Sequence, residues 1–565
     1  MQLRIDGQNI TAKAGQSLLD LVRQLNLDSP LLSCRPLAAK IAGEVFNLNY
    51  IPVREKDVQT ERPSIRRAMA ASQGHVTLLH YTDPAGKDVY ARTAQFLLFL
   101  ALHNLYHNVR VKMGCTVGKA LYMEVLSEDF SAEALKNEVS KLVTQDIPLC
   151  RRRVKTKQAI ERYQAQGQWD KARLLSCRTQ DYFDEYYYGG FSDYYYGELA
   201  PSTGFMQVWD ILPADGGFFF LFPEDVYPDM VAQYEEMPQF LSVSTEGERW
   251  CELMECETVA DLNEHTRTGK IRELIRVNEA LHEKRFSQIA DAVCSQGVKA
   301  VMLAGPSSSG KTTSANRLAT QLRVHGKKPV LLSLDDYYED REKILPGPDG
   351  KVDLEHINTI STDLFRKHLV TLLSGGTVQR PTFNFKTGKR EYHGETLQLF
   401  ENSVMIIEGL HALNPILLPE GLAENLVFRL YVSPLLPLNL DDHNRIPTSL
   451  LRLLRRTVRD YETRGSSVQQ TMEMWDSVRR GEKRWIFPFQ EKADMIFNSS
   501  TLYELAVLKK HIFPLLEAVE PEDACYETVR GLVKILNYVK EADVEDEIPP
   551  TSIVREFIGG NAFYK

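Results

Sequence analysis

The nine residues Gly305-Pro306-Ser307-Ser308-Ser309-Gly310-Lys311-Thr312-Thr313 constrain this chain more than any other stretch. An apolar run, 298–304, precedes them and predicts a buried strand. Residues 314–324 follow and predict a helix. A phosphate-binding loop needs this strand–loop–helix context. Glycine-permitted backbone turns N–H groups toward an anion, and the helix start adds partial positive charge. Lys311 would reach the terminal phosphates and the Thr312 hydroxyl would ligate Mg²⁺.

Size and composition set the remaining limits. A chain of 565 residues has room for about three or four domains with separate cores. A formal net charge of −9 excludes a bulk electrostatic affinity for nucleic acid, though local basic patches remain open. The eight cysteines show no paired metal-knuckle spacing; Cys251 and Cys256 come nearest, and the expectation is reduced thiols in a cytoplasmic protein. The longest apolar run, 96–102, is too short to span a bilayer, so no membrane partner is expected.

Residues 1–62 read as a small module. Leu3 and Ile5 alternate with polar neighbours, Ser17 caps a helix carrying Leu18, Leu21, Val22 and Leu25, and 38–48 predicts a second strand. The pattern resembles the TGS domain, a ubiquitin-like β-grasp. That resemblance implies an RNA or protein contact surface, with an inert solubilising module as the alternative.

From 63 to 225 the order of segments, Tyr90 to Leu98 early and Pro201-Ser202-Thr203-Gly204 late, is similar to the second domain of threonyl-tRNA synthetases. In that family two His/Cys pairs edit mischarged tRNA. The matching positions here are Arg92, Phe96, Tyr195 and Leu199, which offer neither imidazole nor thiol, so no editing is expected. The aromatic residues between 182 and 222 are expected to fill a core or a remodelled pocket. His103 and His107 are read as a helix surface, and the basic stretch 151–157 as a solvated helix start. Residues 226–297 read as a linker helix pair, one face carrying Ile271, Leu274 and Ile275 and another Phe286, Ile289, Ala290 and Val293.

The chemistry is expected in 298–520. Residues 329–334 predict a strand ending in Asp335-Asp336-Tyr337-Tyr338, and 404–407 a strand ending in Glu408-Gly409. In open α/β sheets functional groups gather at such carboxyl ends. With further strands at 427–432 and 495–498, the expectation is a doubly wound, mostly parallel sheet.

Here the resemblance is close. Ser333-Leu334-Asp335-Asp336-Tyr337-Tyr338, Gly376 to Pro381, Ile407-Glu408-Gly409-Leu410-His411, Arg455-Arg456-Thr457-Val458-Arg459-Asp460 and Arg464-Gly465 match the uridine kinase and phosphoribulokinase family in order and spacing. The whole chain looks like the bacterial fusion in which TGS and threonyl-tRNA-synthetase-like domains precede a uridine kinase domain, with 521–565 as a C-terminal extension. The fold class implied is multidomain α/β and α+β.

The resemblance implies ATP and Mg²⁺ as cofactors and phosphoryl transfer to a nucleoside 5′-hydroxyl. The implied catalytic residues are Asp335 as base, Lys311, Arg456, Arg459 and Arg464. Thr312 and Glu408 are the implied metal ligands. Asp335, Tyr338, Glu355, Phe383 and Arg456 are the residues expected to meet substrate, with Asp353 as an alternative to Glu355. Three departures weaken base recognition: Phe383, Gly388 and Met474 stand where the family carries polar readers. Residues 448–464 are expected to form a mobile lid, because Arg452, Arg455, Arg456 and Arg459 recur at helical spacing. Expected partners are a nucleoside, a second copy in a homo-oligomer, and RNA or a protein at the N-terminal half. Two alternatives stay open: a kinase for another small hydroxylated substrate such as a sugar phosphate, and a non-catalytic nucleotide sensor.

Overall fold

The computed structural model describes residues 1–53, 74–106, 109–127, 129–178, 180–344, 353 and 355–563. The first module holds strands β1 (Gln2–Ile5), β2 (Gln8–Thr11), β3 (Ala38–Ile41) and β4 (Glu44–Phe46), helix α1 (Leu18–Gln24), and β5 (His75–Leu79), in sheet order β2-β1-β5-β3-β4. Ser17 and Asp20 form the capping box of α1, which buries Leu18, Leu19, Leu21 and Val22. Two expectations are corrected. The strand at 38–48 is a hairpin, turned at Ala42 and Gly43, both at positive φ. The expected boundary at 62/63 lies outside the described residues, yet β5 beyond it pairs parallel with β1 and antiparallel with β3, so the sheet closes only with later residues.

The middle region contains α2 (Pro84–Leu105), β6 (Arg110–Val117), β7 (Ala120–Leu126), α3 (Ala132–Thr144), β8 (Cys150–Lys155), α4 (Thr156–Ala165), α5 (Trp169–Ser176), β9 (Tyr182–Tyr188), β10 (Phe191–Asp193), β11 (Asp210–Ala214) and β12 (Gly217–Leu221). Its sheets have orders β11-β12-β7-β6 and β10-β9-β8, antiparallel throughout. Only the last two residues of the basic stretch 151–157, Thr156 and Lys157, begin a helix. Most of it is β8, paired with the aromatic β9, and its cations are met from neighbouring segments: Arg151 by Glu198, Arg152 by Glu185, Arg153 by Asp184. Charge satisfied across strands removes the need for a solvated helix face. The aromatic segment packs as core: Phe96 lies 5.5 Å from Phe191 and 6.4 Å from Tyr195, ring to ring. Arg92 donates to the Glu198 carbonyl, and Leu199 is fully buried. His103 rests 5.4 Å from the Phe191 ring; its expected companion His107 lies outside the described residues.

Residues 226–297 are not a linker pair. They form three helices, α6 (Pro238–Leu253), α7 (Val259–Thr268) and α8 (Ile271–Gln296). Both apolar sets read from the sequence sit on the single 26-residue α8 and enter one hydrophobic core shared with the C-terminal sheet. His282 of α8 shows the depth of that burial. It is 4% exposed, and its Nε2 donates to the Ser500 carbonyl at 3.1 Å. Burial lowers its pKa from 6.5 to about 3. The unfolded chain therefore takes up a proton near 6.5 that the folded chain refuses until about 3. Stability from this group is present above the unfolded value and falls as pH drops through that window. His282→Phe should flatten the acid limb of the stability–pH curve between pH 7 and 4 in denaturant titrations; an unchanged slope would refute the assignment.

The C-terminal unit contains β13 (Ala300–Ala304), α9 (Lys311–Val324), β14 (Lys328–Ser333), α10 (Thr362–Leu373), β15 (Thr377–Asn384), β16 (Lys389–Gln398), β17 (Ser403–Glu408), β18 (Val427–Ser433), β19 (Asn439–Asp441), β20 (Asn444–Arg445), α11 (Thr448–Arg464), α12 (Val468–Trp485), β21 (Met495–Asn498), α13 (Glu504–Glu517), α14 (Tyr526–Leu536) and α15 (Arg555–Ile558). Its main sheet has order β14-β17-β13-β18-β21, every pair parallel. Continuous apolar runs such as AVMLA form central strands because both faces are covered. Residues beyond 520 belong to the same core through Val529, Ile553, Val554 and Phe557, so they are part of this body rather than an appendage. No described helix is long and apolar enough to cross a membrane.

Candidate functional site

The sheet register assembles the site. Leu303 of β13 lies beside Glu408 of β17, which lies beside Ser333 of β14. Three neighbouring strands thus end level, and the residues that follow them, 305–313, Asp335 and Glu408 itself, meet at one edge.

The loop after β13 is tightly built. A Cβ at Gly305 would stand 2.1 Å from the Val432 carbonyl oxygen, so only glycine lets the loop leave the strand there. Ser308, at φ +60°, is a non-glycine residue in the left-handed region, and Gly310 follows at φ +84°. Lys311 opens α9, and its Nζ donates to the Pro306 carbonyl at 3.0 Å. Burial lowers its pKa, against the opposing pull of Glu408 and Asp335.

The carboxylates face that lysine. Burial raises the Asp335 pKa, opposed by Lys311, Arg464, Arg459 and a hydrogen bond from the Tyr338 hydroxyl. Glu408 is pushed up to about 7 by burial and by the Asp335 charge, while Ser333 Oγ donates to it at 2.9 Å. Glu355 is likewise raised to about 7 by burial, with Arg456 opposing. Asp335, Glu408 and Glu355 are all only partly buried, so they are recessed yet reachable. Asp335 and Glu408 are two mutually repelling carboxylates, oxygen donors of the kind Mg²⁺ accepts, since it takes one or two carboxylates and completes its shell with phosphate and water. Among the described residues no group of three or more His, Cys, Asp or Glu is arranged to hold a metal ion.

An aromatic wall flanks Asp335. The Tyr338 and Phe383 rings lie 5.4 Å apart and Phe383 lies 5.2 Å from Phe385, carried by the turn that follows β14 and by the β15–β16 hairpin. Met474 is 41% exposed on α12, and Gly388 turns the hairpin against the Arg341 side chain.

The arginine helix α11 corrects the lid expectation. It is packed beneath the loop, with Leu451, Leu454 and Val458 in the core. Arg452 and Arg455 are 1% and 0% exposed. Arg452 pairs with Glu482 and donates to the Ser307 carbonyl at 3.2 Å; Glu482 in turn accepts from the Ser307 N–H at 3.0 Å. Arg455 grips Glu504 through two bonds of 2.7 and 3.0 Å and reaches the Ser308 and Ser499 carbonyls. Arg456 donates to Ser307 Oγ at 2.8 Å. Arg456, Arg459 and Arg464 share Asp460 at 3.1–3.2 Å. The first half of the helix therefore buttresses the loop, and only Arg459 and Arg464 carry charge toward Asp335. Glu482 and Glu504 were not legible as partners, because 30 and 49 residues separate them from their arginines. The stripe of arginines was the one available signal, since buried guanidinium groups require acids.

The profile of the Phosphoribulokinase / Uridine kinase family matches residues 300–506. The uridine kinase of Aliivibrio salmonicida (strain LFI1238) is 30% identical over 223 residues, covering 39% of this chain and 95% of the relative. That of Brevibacillus brevis is 29% identical over 196 residues, covering 34% and 81%. A solved structure of a possible uridine kinase from Bacillus stearothermophilus covers 38% of this chain and 97% of its own, at 17% identity and TM-score 0.27. Through residues 300–506, this chain belongs to the phosphoribulokinase / uridine kinase family of P-loop kinases.

Proposed function

We propose that the chain transfers the terminal phosphoryl group of ATP to the 5′-hydroxyl of a nucleoside. The observation that carries this is the meeting of Lys311, Asp335 and Glu408 at the level ends of three adjacent strands. Bound Mg²⁺ would neutralise phosphate charge, with Thr312 and Glu408 holding it. Asp335 accepts the hydroxyl proton, Tyr338 fixes the Asp335 carboxylate, and the 305–313 backbone and Lys311 orient the phosphates. Glu355, which feels the Arg456 charge, would take sugar hydroxyls. Arg459 and Arg464 stabilise the transferred group: Arg459→Ala is expected to lower turnover at least about tenfold with a much smaller change in nucleotide affinity, measured by steady-state kinetics and calorimetry. Full turnover in that variant removes it from the mechanism.

The solvent-facing Met474 and the turn position of Gly388 favour a second reading, in which the acceptor is another small hydroxylated molecule such as a sugar phosphate. A phosphate-transfer screen of the full chain against nucleosides and sugar phosphates decides between them. With shape and stacking at Phe383 as the main base discrimination, several nucleosides should be accepted within about two orders of magnitude. Exclusive use of uridine and cytidine would contradict this. For the N-terminal half, the order β2-β1-β5-β3-β4 around one helix supports the β-grasp, TGS-like reading, and the buried aromatic packing at Phe96 and Tyr195 supports a synthetase-like domain without editing chemistry. Hydrolysis of mischarged tRNA by the chain would overturn the latter.

A further inference from the structure

The phosphate loop is touched by a segment outside the family match. Thr313 lies in the first turn of α9, at the positive end of that helix. Its hydroxyl donates to Glu556 Oε2 at 2.7 Å, across 243 residues of sequence. Asn561 Nδ2 donates to the same hydroxyl oxygen at 3.3 Å.

This contact is held by folded structure. Ile553 and Phe557 are buried in the core. Ser552 Oγ donates to Glu279 at 2.6 Å, Arg555 Nη2 to the Ile548 carbonyl at 3.0 Å, and the Arg455 guanidinium lies 4.9 Å over the Phe557 ring. A Cβ at Gly310 would stand 2.6 Å from Ile553 Cγ2, so the close approach of this segment depends on that glycine.

The charge of Glu556 is the unusual part. Glu482 also touches the loop, but Arg452 neutralises it. Among the described residues no cation lies within ion-pair distance of Glu556. The groups that hold it are a helix start, a Thr313 proton and the more distant Lys311 charge. Those are the groups a nucleotide phosphate would use. One hydroxyl has one proton to donate, so Thr313 serves either the carboxylate or a phosphate. A carboxylate left beside a bound phosphate would repel it.

We propose that Glu556 is a built-in competitor for the phosphate loop and thereby sets the nucleotide affinity of this chain. The proposal rests on the nucleotide-binding reading of 305–313. Phosphate binds after Glu556 swings off Thr313, and the apparent affinity is reduced by the fraction of molecules in which it has done so.

Calorimetric titration of the full chain with Mg·ATP, and separately with magnesium tripolyphosphate, tests this in wild type, Glu556→Gln and Glu556→Ala. Glutamine keeps the acceptor for Thr313 and removes the charge. The expected result is binding tighter by about tenfold in Glu556→Gln, by a similar factor for both ligands. Equal or weaker binding overturns the proposal. A gain with ATP but none with tripolyphosphate also overturns it, because the effect would then lie at the base or sugar. Lys311→Met separates nucleotide binding from competition by Glu556. Binding that depends on Lys311 but does not tighten in Glu556→Gln sinks the competitor alone; no binding of either ligand to any of the proteins sinks the nucleotide reading and the competitor together.

Discussion

Asp335→Asn is expected to lose turnover by at least about a hundredfold while Mg·ATP affinity stays nearly unchanged. On the proposed reading the phosphates are bound by the 305–313 backbone and Lys311, none of which touches Asp335 by hydrogen bond among the described residues. Asp335 follows β14, two strands from the loop-bearing β13, bonded by the Tyr338 hydroxyl and kept ionisable by Lys311, Arg459 and Arg464 against the cost of burial. Little covalent chemistry is asked of a phosphoryl-transfer enzyme, so a base and a positioned hydroxyl carry much of what the protein adds. Asparagine keeps the shape and removes the proton acceptor. Single-turnover kinetics alongside ATP titration separates the two effects. Wild-type turnover in Asp335→Asn would falsify the assignment of the base, and a parallel collapse of ATP affinity would place Asp335 among the metal-holding groups instead.

The second large effect concerns stability. Arg455 and Glu504 are both wholly buried and joined by two bonds, and Arg455 also satisfies the Ser308 and Ser499 carbonyls. Removing one partner leaves a buried uncompensated carboxylate, a loss of about 3–5 kcal/mol. Arg455→Met should therefore lower the denaturant midpoint of the C-terminal unit strongly. Arg455→Met with Glu504→Leu should recover much of the loss, because both charges leave together. A lid arginine predicts the opposite signature: unchanged stability with reduced turnover. The midpoint measurement thus tests directly whether α11 buttresses the loop or closes over it.

Those two cases mark how far local sequence carries. The strands at 329–334, 404–407, 427–432 and 495–498 and the loop at 305–313 were legible because a buried parallel strand must be a short apolar run, and a phosphate loop must place glycine where the backbone crowds its neighbours. The place of Asp335 and Glu408 at the carboxyl edge of the sheet was legible because each follows or ends a short apolar run. The stretch 151–157 misled, since a row of cations looks the same whether water or the acids of β9 and the following loop meet it. The arginines of α11 misled for the same reason: helical spacing fixes which side chains share a face, and says nothing of whether that face meets solvent or Glu482 and Glu504.

The sequence by itself determined the phosphate loop, the acidic strand ends and the parallel sheet, because each depends on residues close in the chain and on local backbone geometry. The tertiary structure alone decided that β5 closes the first sheet, that α8 belongs to the shared core, that α11 is buried, and that Glu556 reaches Thr313. Each of these is a pairing across tens to hundreds of residues, where burial and the need to satisfy buried charge choose the partner and no local pattern names it.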